Sequence, residues 1–467
     1  DIECFKRNHI NAVRTCHYPD RKEWYGLCDE AGIYVMAETN LESHGSWQKR
    51  GGIDASWNVP GSEPLWEAVV LDRARTNFAM FKNHPSILFW SLGNESYAGD
   101  VLAKMNAFYK DTDPGRLVHY EGVVNCRAYE DVISDMESRM YARPEDIRSY
   151  LTHAPKKPFL LCEYMHDMGN SLGGLGDYIA LLDEFKNYQG GFIWEWYDHG
   201  IYTEEEGHTY YKYGGNFEDF PTNGNFCIDG MLMPDRTPSP ALLEYKQVIS
   251  PIEVQKVEGK NNELILTNWY DFLSLSHLYI KWWISGNEET VEEGLINELS
   301  AAPGEEQRVI IPYTAFMPQA NVDYYLNVSV CYKEATAFAE KGYEISRTQF
   351  ALPEHMVVLE RRPAGDKLTA EEAEGILLIR NGKICVTFHT VFGKMISVEI
   401  DGKAYLTDGP QMTVYRPTID NDMYKKDDWM NKYFIQKSSE QLEWFSYELS
   451  DEKAVVTMQK YFGCLNQ

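Results

Sequence analysis

Two glutamates carry most of the chemistry in this chain. Glu95 lies in Gly93-Asn94-Glu95-Ser96, just past the apolar run Ile87-Leu88-Phe89-Trp90, and Glu163 ends a second apolar run, Phe159-Leu160-Leu161-Cys162. A carboxyl at the C-terminal tip of a buried strand is desolvated from below and open to a ligand from above. Two such groups facing one another across a sugar can divide the work of breaking a glycosidic bond, one donating a proton and the other attacking the ring or activating water. The donor must be protonated near neutrality, which burial or a neighbouring negative charge achieves. The nucleophile must be ionised and held still. The hydroxyl of Tyr141, which follows another strand-like stretch, is a suitable tether. Either glutamate alone reads equally well as a helix cap or a strand-end charge; the pairing is what points to catalysis.

Further groups sit at comparable places. Glu42 and His44 follow the apolar run that closes at Glu38. Alternate residues of an extended segment point to one side, so a carboxylate and an imidazole can share a cation there. With a third carboxylate, such mixed oxygen and nitrogen ligation suits magnesium or manganese better than a closed zinc site. His17, His84 and His166 fall beside strand ends, where imidazoles recognise neutral hydroxyls. The Asn94 amide is placed to hydrogen-bond a sugar hydroxyl. Trp194, in Phe192-Ile193-Trp194-Glu195-Trp196, offers an apolar platform for a pyranose.

The elements that must position these residues follow from periodicity. In residues 1–245, short β-rich runs alternate with helical patterns, which indicates a parallel sheet with crossover helices. Strands are expected at residues 11–14, 33–38, 87–93, 117–120, 132–136, 159–162 and 191–196, and helices at 21–30, 67–83 and 176–188. That makes seven strands where a closed β/α (TIM-type) barrel has eight, so the first is expected upstream of Asp1, leaving an open seam beside residues 11–14. After Pro238-Ser239-Pro240 the period changes to two. Runs at 252–257, 263–268, 275–285, 308–312 and 324–332 make residues 246–355 an immunoglobulin-like β-sandwich. Residues 360–374 read as a linker. Runs at 376–380, 384–389, 396–400 and 412–415 make residues 356–467 the opening part of a larger β-sandwich domain.

Composition bounds the partners. The chain has 467 residues, 44% of them apolar, enough for several cores. A net charge of −27 argues against nucleic acid or an anionic membrane surface and favours a neutral ligand. No apolar run of bilayer length occurs. The nine cysteines form no CxxC pair and read as buried reduced thiols. Asp1-Ile2-Glu3-Cys4-Phe5-Lys6 reads as a helix already under way, with neither a start methionine nor a signal-like leader, so the chain is expected to be a segment of something longer. The sequence leaves the compartment open.

The stretches from Arg14 to Pro19, Asn83 to Ser86, Ser91 to Ser96, Leu161 to Ser171, Gln189 to Trp196 and Arg416 to Asp422 closely resemble bacterial β-galactosidases of glycoside hydrolase family two. The resemblance implies a retaining double displacement with Glu95 as acid/base and Glu163 as nucleophile. It also implies magnesium held by Glu42, His44 and Glu95, and a galactose subsite lined by His17, His84, Asn94, Tyr141, His166 and Trp194. The family's sodium ion, bound through a phenylalanine carbonyl and an asparagine, maps onto Phe226 and Asp229, the second position being a departure. The substrate implied is a terminal β-galactoside such as lactose, and the assembly a homo-oligomer. The family's N-terminal domains, including an aspartate that serves sugar and sodium, have no counterpart here, so this polypeptide alone is expected to be inactive. The alternatives are a β-glucuronidase or β-mannosidase of the same family, or a non-catalytic carbohydrate-binding fragment.

Overall fold

The computed structural model describes residues 1–48, 58–287, 289–353, 357–358 and 365–464. The chain divides into two compact units, Asp1–Met356 and Val357–Gln467.

The first unit begins with α1 (Ile2–Arg7) and seven parallel strands: β1 (Ala12–Arg14), β2 (Tyr34–Glu38), β3 (Ile87–Ser91), β4 (Leu117–His119), β5 (Glu137–Met140), β6 (Phe159–Tyr164) and β7 (Tyr188–Ile193). Crossovers run through α2 (Lys22–Ala31), α3 (Gly45–Gln48), α4 (Pro64–Phe81), α5 (Asp100–Thr112), α6 (Pro144–Thr152) and α7 (Leu175–Glu184). Strands β1 to β4 form one sheet in sequence order and β5 to β7 another. Among the described residues β1 pairs only with β2 and β7 only with β6; β1 and β7 approach each other without forming a ladder. A side-chain hydrogen bond in which Ser138 Oγ donates to His119 Nε2, 2.7 Å, links β4 to β5.

Strand alternation explains the layers. In β2, Val35 and Ala37 face helices α2, α4 and α5, packing with Tyr25, Val70, Ala74 and Leu102. Met36 turns the other way, into an interior cluster with Met136 and Leu160, against which Phe89 and Phe192 pack. Glu38 shares that inward side. In β6, Phe159 and Leu161 face outward with Tyr164. Strict alternation would turn Glu163 outward with Leu161, but the β5–β6 register shifts between Arg139/Leu161 and Met140/Glu163, leaving Cys162 as an extra residue. This bulge re-aims Glu163 toward the mouth of the sheet.

The strand expected at residues 132–136 is corrected to Glu137–Met140. The earlier segment is a turn: Ser134 has φ 70°, and although Asp135 N donates to the Val118 carbonyl, the Val118 N–H goes to the Asp135 carboxylate at 2.7 Å instead of to a strand carbonyl.

Beyond a hairpin, β8 (Ile201–Glu205) with β9 (His208–Lys212), and α8 (Pro240–Val248), the unit ends in a two-sheet sandwich. One sheet orders β10 (Ile252–Lys256), β11 (Glu263–Asn268) and β14 (Glu306–Ile310). The other orders β13 (Glu289–Ile296), β12 (Leu278–Gly286), β15 (Tyr324–Tyr332) and β16 (Glu344–Ala351). Inward residues such as Leu264, Leu266, Ile280, Trp282, Leu326 and Val328 form one core. Strands β13 and β16 had no sequence expectation, because each is a polar edge strand with little apolar alternation.

The second unit holds a five-stranded antiparallel meander, β17 (Thr369–Ala373), β18 (Ile376–Asn381), β19 (Ile384–His389), β20 (Lys394–Ile400) and β21 (Lys403–Leu406), and a hairpin, β22 (Ser438–Leu449) with β23 (Ala454–Cys464). Part of the expected linker lies outside the described residues; the rest contains β17. The run at 412–415 is not a strand: its residues are exposed and lack a ladder partner among those described.

Candidate active site

The site is built around Arg14, the last residue of β1 and almost wholly buried. Its guanidinium takes Glu38 through both oxygens, Nε to Oε2 at 2.7 Å and Nη2 to Oε1 at 3.0 Å. Nη1 donates to Glu163 Oε1 at 2.8 Å, and Nη2 donates to Asn94 Oδ1 at 2.9 Å. One planar cation thus fixes the tips of β2 and β6 and the loop after β3. Burial raises the cost of ionising Glu38, but the Arg14 charge outweighs it and holds that carboxyl at about 2. Ser91 Oγ also donates to Glu38, at 2.8 Å, and accepts from His119 Nδ1 at 3.0 Å.

Glu163 has a second tether. The Tyr141 hydroxyl donates to its Oε2 at 2.9 Å, while Tyr141 N donates to the Glu163 carbonyl at 2.9 Å. Burial and the adjacent Glu163 charge push the phenol far upward, so it stays a donor. Glu163 is therefore gripped at both oxygens by donors and only 6% exposed. Glu95 has the opposite environment. Burial, then the charges of Glu163 and Glu42, raise its carboxyl to about 7. Two carboxyls on one mouth, one clamped by donors and the other driven toward its neutral form, have the polarity that acid and nucleophile require.

The loops after β2 and β3 lie against each other. Asn94 N donates to the Leu41 carbonyl at 2.8 Å, and Glu42 and Asn94 form an isolated parallel bridge. Gly93 permits this approach, since a Cβ there would lie 2.5 Å from the Leu41 oxygen, at φ +142°. The contact brings Glu42, His44 and Glu95 together, with one donor atom from each within 4.8 Å of the others. His44 Nδ1 lies 2.5 Å from Glu95 Oε2.

On the far side, the Trp194 ring stacks on His17, centroids 5.0 Å apart and planes 19° apart, and its Nε1 donates to Asp229 Oδ2 at 3.1 Å. His17 Nδ1 lies 3.3 Å from Glu38 Oε1. His166 Nε2 is 3.5 Å from Asp229 Oδ2, and its ring approaches those of Tyr141 and Phe226 at 5.9 and 6.0 Å. Asp229 is 1% exposed, and its Oδ1 is buried without a hydrogen-bond partner among the described residues. Burial and Asp229 raise Glu195 to about 9, and burial with Asp198 and Asp229 raises Asp167 to about 7.

The family model for glycosyl hydrolases family 2, TIM barrel domain, matches residues 1–254, and that for β-galactosidase, domain 4, matches residues 264–353. The chain belongs to glycosyl hydrolase family 2. A β-galactosidase of Halalkalibacterium halodurans is 42% identical over 90% of this chain and 41% of its own length. A β-galactosidase large subunit of Latilactobacillus sakei is 61% identical over 53% of this chain and 40% of its own. A β-galactosidase of Clostridium acetobutylicum is 39% identical over 97% and 50%. The chain thus spans about half or less of the length of these curated relatives. Among solved structures, a Ruminococcus gnavus β-glucuronidase aligns at TM-score 0.38 and 20% identity over 52% of this chain and 43% of its own, too distant to bear on substrate.

Of the residues expected at this family 2 site, His17, Glu42, His44, Asn94, Glu95, Tyr141, Glu163, His166, Trp194, Phe226 and Asp229 come together at the C-terminal mouth. His84 does not. It precedes β3, at the opposite end of the strand, where its Nδ1 meets Asp29 Oδ2 at 2.6 Å and its carbonyl accepts from Arg116. Asp29 Oδ1 also accepts from Ser86 N at 2.9 Å, so His84 belongs to a turn that seats the start of β3. Conversely, Arg14, Glu38 and Glu121 were not expected. Glu38 closes a buried strand, the same signal that marks Glu163, whereas Arg14 closes a strand too short to show it.

A buried trio below the mouth, His119, Glu121 and Cys162, also has metal-ligand spacing. Both imidazole nitrogens of His119 are engaged by Ser91 and Ser138, which makes it a neutral hydrogen-bonding bridge, held down to about 3 by burial and then by Arg14.

Proposed function

We propose that this chain carries the catalytic centre of a retaining exo-β-galactosidase that cleaves terminal β-galactosides such as lactose. Glu163 attacks the anomeric carbon while neutral Glu95 protonates the departing glycosidic oxygen, leaving a glycosyl ester on Glu163. Glu95, now a carboxylate, then takes a proton from the water that attacks the same carbon, and Glu163 leaves. The observation that carries this reading is the contrast between the doubly tethered Glu163 and the upward-driven Glu95. Trp194, His17, His166 and Asn94 would contact the sugar. A magnesium ion would be held by Glu42, His44 and Glu95, a donor set of two carboxylates and an imidazole that suits it, and when bound it would supply positive charge beside the acid. A sodium ion would fit at the Phe226 carbonyl and Asp229, whose buried Oδ1 has no hydrogen-bond partner among the described residues. A glucuronide is less suitable, since its carboxylate would meet Asp229, Glu195 and Asp167. We read residues 1–245 as the catalytic barrel, 246–355 as an immunoglobulin-like sandwich and 356–467 as part of a larger β domain, in a protein that works as an oligomer.

The test is covalent trapping. A 2-fluoro-galactoside should label Glu163 in the full-length protein, and Glu163→Gln should show no label; persistent labelling elsewhere removes the nucleophile. Faster turnover of nitrophenyl glucuronide or mannoside than of the galactoside removes the substrate assignment.

A further inference from the structure

Glu121 follows β4 by two residues and is 4% exposed. Its Oε1 accepts the backbone N–H of Glu95 at 2.7 Å. The preceding residue does the same for the next amide: the Tyr120 hydroxyl accepts Ser96 N–H at 2.9 Å and donates to the Ser96 carbonyl. Two successive side chains from the β4 loop therefore hold two successive amides of the β3 loop. That loop needs holding, because Glu95 sits at φ 39°, a left-handed conformation uncommon for a glutamate. The Tyr120 ring is itself confined, as a Cβ on Gly122 would lie 2.6 Å from it.

The other Glu121 oxygen, Oε2, is buried without a hydrogen-bond partner among the described residues. The Glu121 carboxyl lies in the cluster with the His119 imidazole and the Cys162 sulfur, donor atoms within 4.8 Å of one another. Cys162 is the bulge residue that turns Glu163 inward. One carboxyl thus stands between the loop that carries the acid and the bulge that aims the nucleophile. Leaving a buried oxygen unpaired is costly, and a fold that needed only packing there would be better served by an apolar side chain.

We infer that Glu121 is a positioning residue for Glu95: it fixes the backbone of the acid, and through it the acid's placement against the leaving oxygen. The inference rests on the glycosidase reading above. Proton donation falls off steeply when the donor is displaced, whereas a leaving group that departs unaided hardly needs it. The signature is therefore a selective loss on poor leaving groups.

The experiment compares kcat/KM for lactose and for dinitrophenyl galactoside in the full-length parent, Glu121→Gln and Glu121→Asp. The glutamine keeps an acceptor oxygen in place and should act on both substrates within about threefold of the parent. The aspartate withdraws the acceptor by one methylene; its lactose rate should fall at least about tenfold more than its dinitrophenyl rate. Equal losses on both substrates in Glu121→Asp, no loss, or a glutamine variant as selective as the aspartate would each overturn the positioning role while leaving an active parent's assignment intact. A parent that hydrolyses no glycoside would overturn both readings.

Discussion

Arg14 concentrates more of the site in one side chain than any glutamate does. It serves Glu38, Glu163 and Asn94 from a position 2% exposed at the side chain. Removing it strands the wholly buried Glu38 carboxylate, so Arg14→Met is expected to destabilise by about 3–5 kcal/mol, the usual penalty for breaking a buried ion pair. Replacing Glu38 by leucine in the same background removes the stranded charge. The double variant should therefore recover part of the lost melting temperature yet none of the activity, because Glu163 still lacks its guanidinium partner and keeps only the Tyr141 hydroxyl. Thermal melts and nitrophenyl galactoside turnover separate the two effects, and recovered turnover would mean that the guanidinium serves stability alone. His84 gives the opposite pattern. Its partner is Asp29 at the far end of β3, so His84→Asn should lower stability by about 1 kcal/mol and leave KM for galactosides unchanged. A raised KM would return His84 to the proposed sugar site.

Gly93 lets the loops after β2 and β3 touch, and only while their backbones touch can they share a cation. Gly93→Ala forces a methyl to within 2.5 Å of the Leu41 carbonyl, so those loops must part. Binding of the proposed magnesium ion, followed by titration of the metal-stripped protein, should weaken at least about tenfold, with a stability loss of about 1–3 kcal/mol. Unchanged affinity would dissociate Glu42 and His44 from Glu95. Glu163 and the seven-strand barrel could be read because a short apolar run that stops at a carboxylate fits a buried strand tip better than a helix or a loop. Arg14 and Glu121 could not. A cation closing the three-residue strand Ala12–Arg14 looks like surface charge, and Glu121 follows an equally short strand within His-Tyr-Glu-Gly, which reads as a turn. The polar strand Glu137–Met140 was displaced to the more apolar residues just before it, since its Glu137 is held by Arg127 and Arg139 rather than by packing. His84 was misplaced because an Asn-His-Pro motif beside a strand says nothing about which end it occupies.

Barrel and sandwich belong to one compact unit, and hydrogen bonds from α1, the following turn and α8 join them. His9 Nε2 donates to the Ile345 carbonyl at 2.9 Å, Lys246 Nζ donates to the Glu344 carbonyl at 2.8 Å, and Arg347 N donates to Gln247 Oε1 at 3.1 Å. Burial, despite the Ile345 bond and aided by nearby Lys246, lowers the His9 imidazole to about 4 from the ordinary 6.5. The sign follows from which state binds the proton first. As pH falls below 6.5 the unfolded chain takes up a proton that folded His9 refuses until about 4. His9 thus withdraws stability across that window, up to about 3 kcal/mol below it. The raised carboxyls work the other way: Glu95 and Asp167 near 7, Glu121 near 8 and Glu195 near 9 make the fold more stable as pH drops toward their unfolded values. The total acid limb therefore mixes opposing contributions, and only a difference isolates the junction. His9 has φ 65°, a conformation asparagine tolerates, and an asparagine amide can still donate across the junction without gaining a proton. Denaturant midpoints of parent and His9→Asn should differ by a constant above pH 7. Between 6.5 and 4 the variant should gain progressively on the parent. Parallel curves throughout that range would show that His9 is solvated in the folded protein and that the barrel–sandwich junction does not exclude water from it.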